Sequence, residues 1–185
     1  MKTQNSKPSH RVVVLDTSAF LAGFDPFMLG DEQFTVPKVQ EEIQRNSMIK
    51  VRFNTAIENG KVKVKAPSEE FSTAVKSSAS KVGDAFKLSE ADMQLLAIAL
   101  ELKAQGYTPQ IVTDDYSIQN VATQLGIEFL TLVTFGIKRL LEWIRYCPAC
   151  YRQYPADCKF KECQICGTEL KRKPKRQPKK ATATK

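Results

Sequence analysis

Histidine is nearly missing: His10 is the only one in 185 residues, so catalysis by a pair of histidines within one chain is excluded. Cysteine is absent before Cys147, and five then occur by Cys166. No apolar run approaches the roughly 20 residues that cross a bilayer, and no charged start leads into an apolar stretch of secretory type. The expectation is a soluble, cytoplasmic protein with no membrane partner. Excess charge is also missing from most of the chain. Lys and Arg number 28 against 20 Asp and Glu, but eight of the basic residues lie in 171–185, where no acid occurs. The formal charge of +8 therefore belongs to the end of the chain, and everything before it balances. With 42% hydrophobic and 26% charged residues, the composition is that of an ordinary globular protein, neither disordered nor fibrous.

In the cysteine-free part, strand-like runs alternate with helical patterns. Arg11–Leu15 (RVVVL) is a β-branched run suited to a strand buried on both faces. Residues 33–36 read as a second strand, and Pro37 suits the first turn of a helix that runs to about Glu58 and stops at Asn59-Gly60. Residues 61–65 (KVKVK) alternate like an exposed strand or hairpin piece. Phe71, Val75, Ala79 and Val82 have amphipathic-helix spacing, and Ser89 caps a further helix that Gly106 ends. Then come a strand at 110–113, a helix over Tyr116–Leu125 closed by Gly126, a strand at 127–133 and a last helix at 135–146. Repeated strand-then-helix order argues for an α/β fold with a mostly parallel sheet flanked by helices. Residues 10–145 form this domain, 146–170 a cysteine module, and 171–185 a basic tail too polar to bury a core and so disordered.

Open parallel sheets bind ligands beyond the carboxyl ends of their strands, and acids gather there in this sequence. Asp16 follows the first strand, and Asp114 and Asp115 follow the strand that ends at Thr113. Asp92 lies on the apolar stripe of its helix: at about 100° per residue, Leu95, Leu96 and Ala99 all fall within about 60° of it, whereas Glu90 and Glu101 point to the opposite, watered side. Glu42 borders the buried side of its helix and Glu41 faces away. Each acid also has a bland reading. Asp16 and either Asp114 or Asp115 suit helix N-caps, Ser89-x-x-Asp92 is a capping box, and Glu42 could be half-solvated and idle. Convergence of all of them would require a divalent cation, Mg²⁺ or Mn²⁺, to relieve their repulsion.

The segments VVVLDTSAF, VPKVQEEI, LSEADMQLLAIAL and IVTDDYSIQNVA, in that order, resemble the four acidic motifs of PIN-domain ribonucleases. The resemblance implies a PIN-like fold and a metal-dependent endonuclease. In it Asp16, Glu42, Asp92 and Asp115 form the catalytic set, Asp16, Asp92 and Asp115 bind the cation, and Asp114 is the alternative fourth acid. It also matches Ser18 and Thr113 to small polar positions that support the acids. The chemistry is attack by water in line with the scissile phosphodiester, leaving 5′-phosphate and 3′-hydroxyl ends.

Cys147-x2-Cys150 and Cys163-x2-Cys166 have the pattern of two zinc knuckles: four thiolates about 2.3 Å from one Zn²⁺ complete a tetrahedron with no open position, so this zinc is structural. Pro148 and Gly167 suit the knuckle turns, and Cys158 is a bystander thiol. Two disulfides are the alternative, disfavoured by the odd fifth cysteine. Tyr146, Tyr151, Arg152, Tyr154, Lys159, Phe160 and Lys161 mix aromatic and basic groups suited to RNA, although one or two of the aromatics are expected to pack the ribbon itself.

A PIN-like domain followed by CPAC…CQICG is similar to the Nin-one-binding (NOB) endonuclease family. That resemblance implies cleavage of precursor small-subunit ribosomal RNA at its 3′ end, with RNA and the precursor of the small ribosomal subunit as partners. The competing reading is a PIN-like and zinc-ribbon RNA- or preribosome-binding factor whose acids are idle. A third, a toxin-type PIN nuclease, fits less well because such proteins are usually shorter and lack a ribbon.

Overall fold

The computed structural model describes residues 10–133 and 142–175. Its centre is β1 (Arg11–Leu15), in which every residue after Arg11 is buried, as a β-branched run covered on both sides requires. On one side lie β2 (Glu32–Thr35) and then β3 (Val62–Val64); on the other lie β4 (Thr108–Val112) and then β5 (Glu128–Leu130). The order β3-β2-β1-β4-β5 is parallel at every pairing. The chain winds outward from β1 to β3 and then returns to lay β4 beside β1. The sheet's topological switch point therefore lies between the ends of β1 and β4, the place where open α/β sheets bind ligands.

Among the described residues six α-helices connect the strands: α1 (Thr17–Leu21), α2 (Pro37–Gln44), α3 (Ser47–Glu58), α4 (Glu69–Val82), α5 (Glu90–Ala104) and α6 (Tyr116–Leu125). The single helix expected from Pro37 to Glu58 is two. Arg45 ends α2, and the Gln44 side-chain amide donates to Asn54 Oδ1 at 2.7 Å, tying the two helices together across the break. Asn46, a poor helix-interior residue, lies at the junction. Helix α5 contacts α2, α4, α6, β1 and β4 and is buried nearly all round. Glu101 is accordingly not on a watered face. It is 8% exposed, and its carboxylate accepts from the Ser68 N–H at 2.9 Å and pairs with Lys65 at 2.8 Å.

The strand expected at 127–133 is shorter, because after Leu130 the N–H groups of Leu132 and Val133 donate to the Asp114 carboxylate and leave the sheet. The helix expected over 135–146 is corrected at its end. Trp143–Tyr146 is β6, the middle strand of an antiparallel sheet ordered β7-β6-β8, with β7 at Gln153–Tyr154 and β8 at Lys171–Pro174. Residues 134–141 lie outside the described ones. Strand β8 likewise corrects the expected disorder of 171–185 at its first residues, since four basic or proline positions pair with the β-prone WIRY run. Residues 176–185 lie outside the described ones.

The small sheet docks on the large unit through a buried polar latch. Asp84, 2% exposed, receives Arg172 Nη2 at 2.6 Å and the Asn120 amide at 2.5 Å, while the same Arg172 nitrogen donates to the Gly83 carbonyl at 2.6 Å. The Arg172 guanidinium also lies 4.2 Å from the centroid of the Trp143 ring. Gly83 ends α4 at φ +77°, and a Cβ there would come within 2.6 Å of Ala156 Cβ.

Candidate functional site

Asp16, Asp92 and Asp115 each occupy a helix N-terminus around the switch point, and each is a cap. Asp16 Oδ1 accepts the Thr17 N–H at 2.7 Å, Asp115 Oδ1 the Ser117 N–H at 2.6 Å, and Asp92 Oδ2 the Ser89 N–H at 2.7 Å in a reciprocal capping box. The bland and functional readings are therefore compatible. A carboxylate that caps with one oxygen is aimed by the backbone, and its other oxygen remains a potential ligand.

Two hydroxyls tie the strand ends together. Ser18 donates to Asp16 Oδ2 at 2.6 Å and accepts the Asp114 N–H; Thr113 donates to the same oxygen at 2.8 Å and accepts the Asp115 N–H. Glu42 is exposed and reaches the cluster through Thr17, whose hydroxyl donates to Glu42 Oε2 at 2.6 Å. Glu41 turns to Lys38 instead, at 3.1 Å. Asp114 points elsewhere, toward the backbone of Leu132 and Val133.

The electrostatics match the geometry. Burial pushes the Asp16 carboxyl above its ordinary pKa despite its three donors, and the Asp115 charge adds to the rise. Asp92 is raised as well, chiefly by burial, with repulsion from Asp16 and Asp115 adding to it against the Ser89 hydrogen bonds. Three acids thus repel one another, and among the described residues no lysine or arginine forms an ion pair with any of them. A hard divalent cation suits such a place, bound directly by one or two carboxylates with water completing its shell.

At the other end, the ligand atoms of Cys147, Cys150, Cys163 and Cys166 all lie within 4.8 Å of one another. The Cys147–Cys166 and Cys150–Cys163 sulfur separations are 3.3 and 3.5 Å, close to the edge of a tetrahedron with metal–sulfur bonds of about 2.3 Å. The donor set and its spacing fit a zinc ribbon. The two knuckles match turn for turn: the N–H of Tyr151 returns to the Cys147 carbonyl and that of Gly167 to Cys163, both at 2.9 Å. Tyr154 donates to Cys163 Sγ at 3.1 Å, which pulls that thiol down to about 6 against its desolvation. Its ring also packs edge-on against Phe160, so these two aromatics build the ribbon. Cys158 stands apart, with Sγ directed to the Phe160 carbonyl.

Comparison with known proteins shows the family. The family model described as PIN domain of ribonuclease matches residues 13–102, which hold Asp16, Glu42 and Asp92. Endoribonuclease Nob1 of Methanothermobacter thermautotrophicus is 40% identical over 86% of this chain and 91% of its own length; Endoribonuclease Nob1 of Pyrococcus abyssi is 41% identical over 89% and 95%. The chain belongs to the Nob1 endoribonuclease family. Membership places it among the metal-dependent PIN-domain endoribonucleases. Ribonuclease VapC1 of Thermoplasma acidophilum is also similar, 36% identical over 87% of this chain and 77% of its own length. Among the described residues of this Nob1-family chain, no helix is long and apolar enough to cross a membrane.

Two features of the arrangement escaped sequence reasoning. The Thr17–Glu42 link joins α1 to α2, and no local pattern encodes a pairing across 25 positions. The Asp84–Arg172 latch joins a residue between two expected helices to one in the tail expected to be disordered. Its one sequence signal is Gly83-Asp84 after an amphipathic helix, which reads equally well as a plain helix stop.

Proposed function

We propose that this Nob1-family chain cleaves precursor small-subunit ribosomal RNA at its 3′ end in the cytoplasm, acting on the small-subunit precursor during ribosome maturation. The observation that carries the reading is Asp16: a buried carboxylate of raised pKa, aimed by three donors, facing two further acids and, among the described residues, paired with no lysine or arginine. Asp16, Asp92 and Asp115 hold Mg²⁺ or Mn²⁺. Glu42 sets Thr17 beside them, and Asp114 shapes the loop after β5. A cation held there would supply charge to polarise the scissile phosphate and would lower the pKa of water at the site. Thr113 and Ser18 hold Asp16 ionised and oriented by donating to Oδ2. The products are 5′-phosphate and 3′-hydroxyl ends. Cys147, Cys150, Cys163 and Cys166 hold one structural Zn²⁺.

End-group analysis of a precursor spanning the rRNA 3′ end, incubated with the full chain and Mn²⁺, tests this. The wild type is expected to give 5′-phosphate products. Asp16→Asn is expected to bind the RNA but to cut at least about 100-fold more slowly, as loss of about 3 kcal/mol of charge stabilisation implies. Cutting by Asp16→Asn at the wild-type rate would overturn the assignment. Binding without cutting by the wild type, whatever the metal, would favour the non-catalytic factor.

A further inference from the structure

Docking of the small sheet creates a groove that neither unit has alone. Phe86 lies on the turn between α4 and α5 and is 67% exposed, with the Arg145 guanidinium of β6 5.8 Å from its ring centroid. Lys87 beside it reaches 5.6 Å from the centroid of Trp143. The groove is lined by Gly83, Phe86, Lys87, Arg145, Ala156 and Arg172, and it shares both arginines with an adjoining cleft of about 330 Å³. Lys161 and one acid, Glu169, also line that cleft. A single exposed aromatic is unremarkable. An exposed aromatic framed by cations drawn from two units and held by a buried latch is a base-stacking platform in chemical terms: a π-face for a base and guanidinium or ammonium groups for the phosphates around it.

Position adds to this. Phe86 and Asp92 are only six positions apart in the chain, so the two lie within about 20 Å of each other, within reach of one extended strand. We propose that Phe86, with Lys87 and Arg145, is a subsite that stacks an unpaired base of single-stranded RNA next to the scissile region. The proposal rests on the ribonuclease reading above. It makes the latch a positioning device as well, because Arg172, seated on Asp84, is the β8 residue paired with Arg145 of β6, which faces Phe86.

Binding of a short single-stranded RNA to the full, zinc-loaded chain carrying Asp16→Asn, which slows cutting, tests the subsite. Adding Phe86→Ala is expected to weaken binding about 5- to 150-fold, the range for losing one stacked base, while Phe86→Trp stays within about threefold of the parent. A strand with abasic positions should bind the parent and Phe86→Ala alike, and Trp143 fluorescence should report the same docked state in all. Unchanged RNA affinity in Phe86→Ala would overturn the proposal. Equal loss for the abasic strand would also overturn it, since the groove would then read charge alone, as would an acidic peptide competing as well as RNA. Failure of the nuclease reading has a different signature: the native chain would not cut, yet Phe86-dependent binding would persist.

Discussion

Asp16 ionises against its surroundings, and this has a consequence for stability. With burial and neighbouring charge holding its native pKa above the ordinary aspartate value of 3.8, the cation-free fold has the full benefit of the protonated carboxyl below that value. The benefit is lost as the pH rises through the raised native pKa. Asp16→Asn removes the titration and leaves Ser18 and Thr113 hydroxyls that can rotate to serve the amide. Without divalent cation at pH 7, thermal unfolding of Asp16→Asn is expected a few degrees above wild type, about 2–4 °C for each kcal/mol at this chain length. The gap should close as the pH falls toward 4, and added Mn²⁺ should raise the wild type alone. An equal midpoint at both pH values would refute the burial penalty. At this scale much was legible in the sequence. Helical spacing singled out Asp92, and strand ends singled out Asp16 and the Asp114–Asp115 pair, because both follow from local geometry. Asp114 and Asp115 could not be separated by sequence, since the backbone of Leu132 and Val133 that occupies Asp114 lies in another loop.

Among the elements, α4 ends where the small sheet begins to press. A Cβ at Gly83 would meet Ala156 Cβ at 2.6 Å and Trp143 Cβ at 3.0 Å, at a left-handed φ of +77° that costs other residues about 1–2 kcal/mol. Gly83→Ala is therefore expected to destabilise the chain by about 2 kcal/mol or more and to expose the ribbon contact. Chemical denaturation and protease cleavage between the units report both effects; wild-type values would show that the close approach is not maintained in solution. The knuckles offer a contrast, for Tyr151 takes φ 60° where its counterpart Gly167 takes 71°. Helix α5 marks the limit of wheel arithmetic. Its apolar stripe was read correctly, but Glu101 on the opposite side is covered and paired, because burial there is decided by contacts with other elements.

For the molecule as a whole, the only tryptophan lies at the junction between the two units. A ribbon of this size depends on its metal to fold, so zinc chelation should release Trp143 from Arg172 and Lys87 while the parallel sheet persists. The expected readout is a red shift of tryptophan emission with far-UV helix signal largely retained, reversed by adding Zn²⁺. Emission unchanged after metal removal, verified by zinc release, would mean that docking does not require the ribbon fold. The basic end of the chain belongs to this scale too. By composition Arg172 is part of a charge run, yet it is the residue that fastens one unit to the other.

Sequence alone determined what depends on neighbours along the chain: the β-branched strand, the capped helices, the acids at strand ends, the paired cysteines. Periodicity, capping and ligand spacing are local and need no partner. Tertiary structure decided what depends on residues far apart: which of two adjacent aspartates faces the acids, that Glu101 is buried, that WIRY is a strand rather than a helix end, and that Arg172 finds a carboxylate 88 positions away. The physical reason is common to all four. Desolvation and pairing belong to the assembled surface around a side chain, which no short stretch of sequence contains.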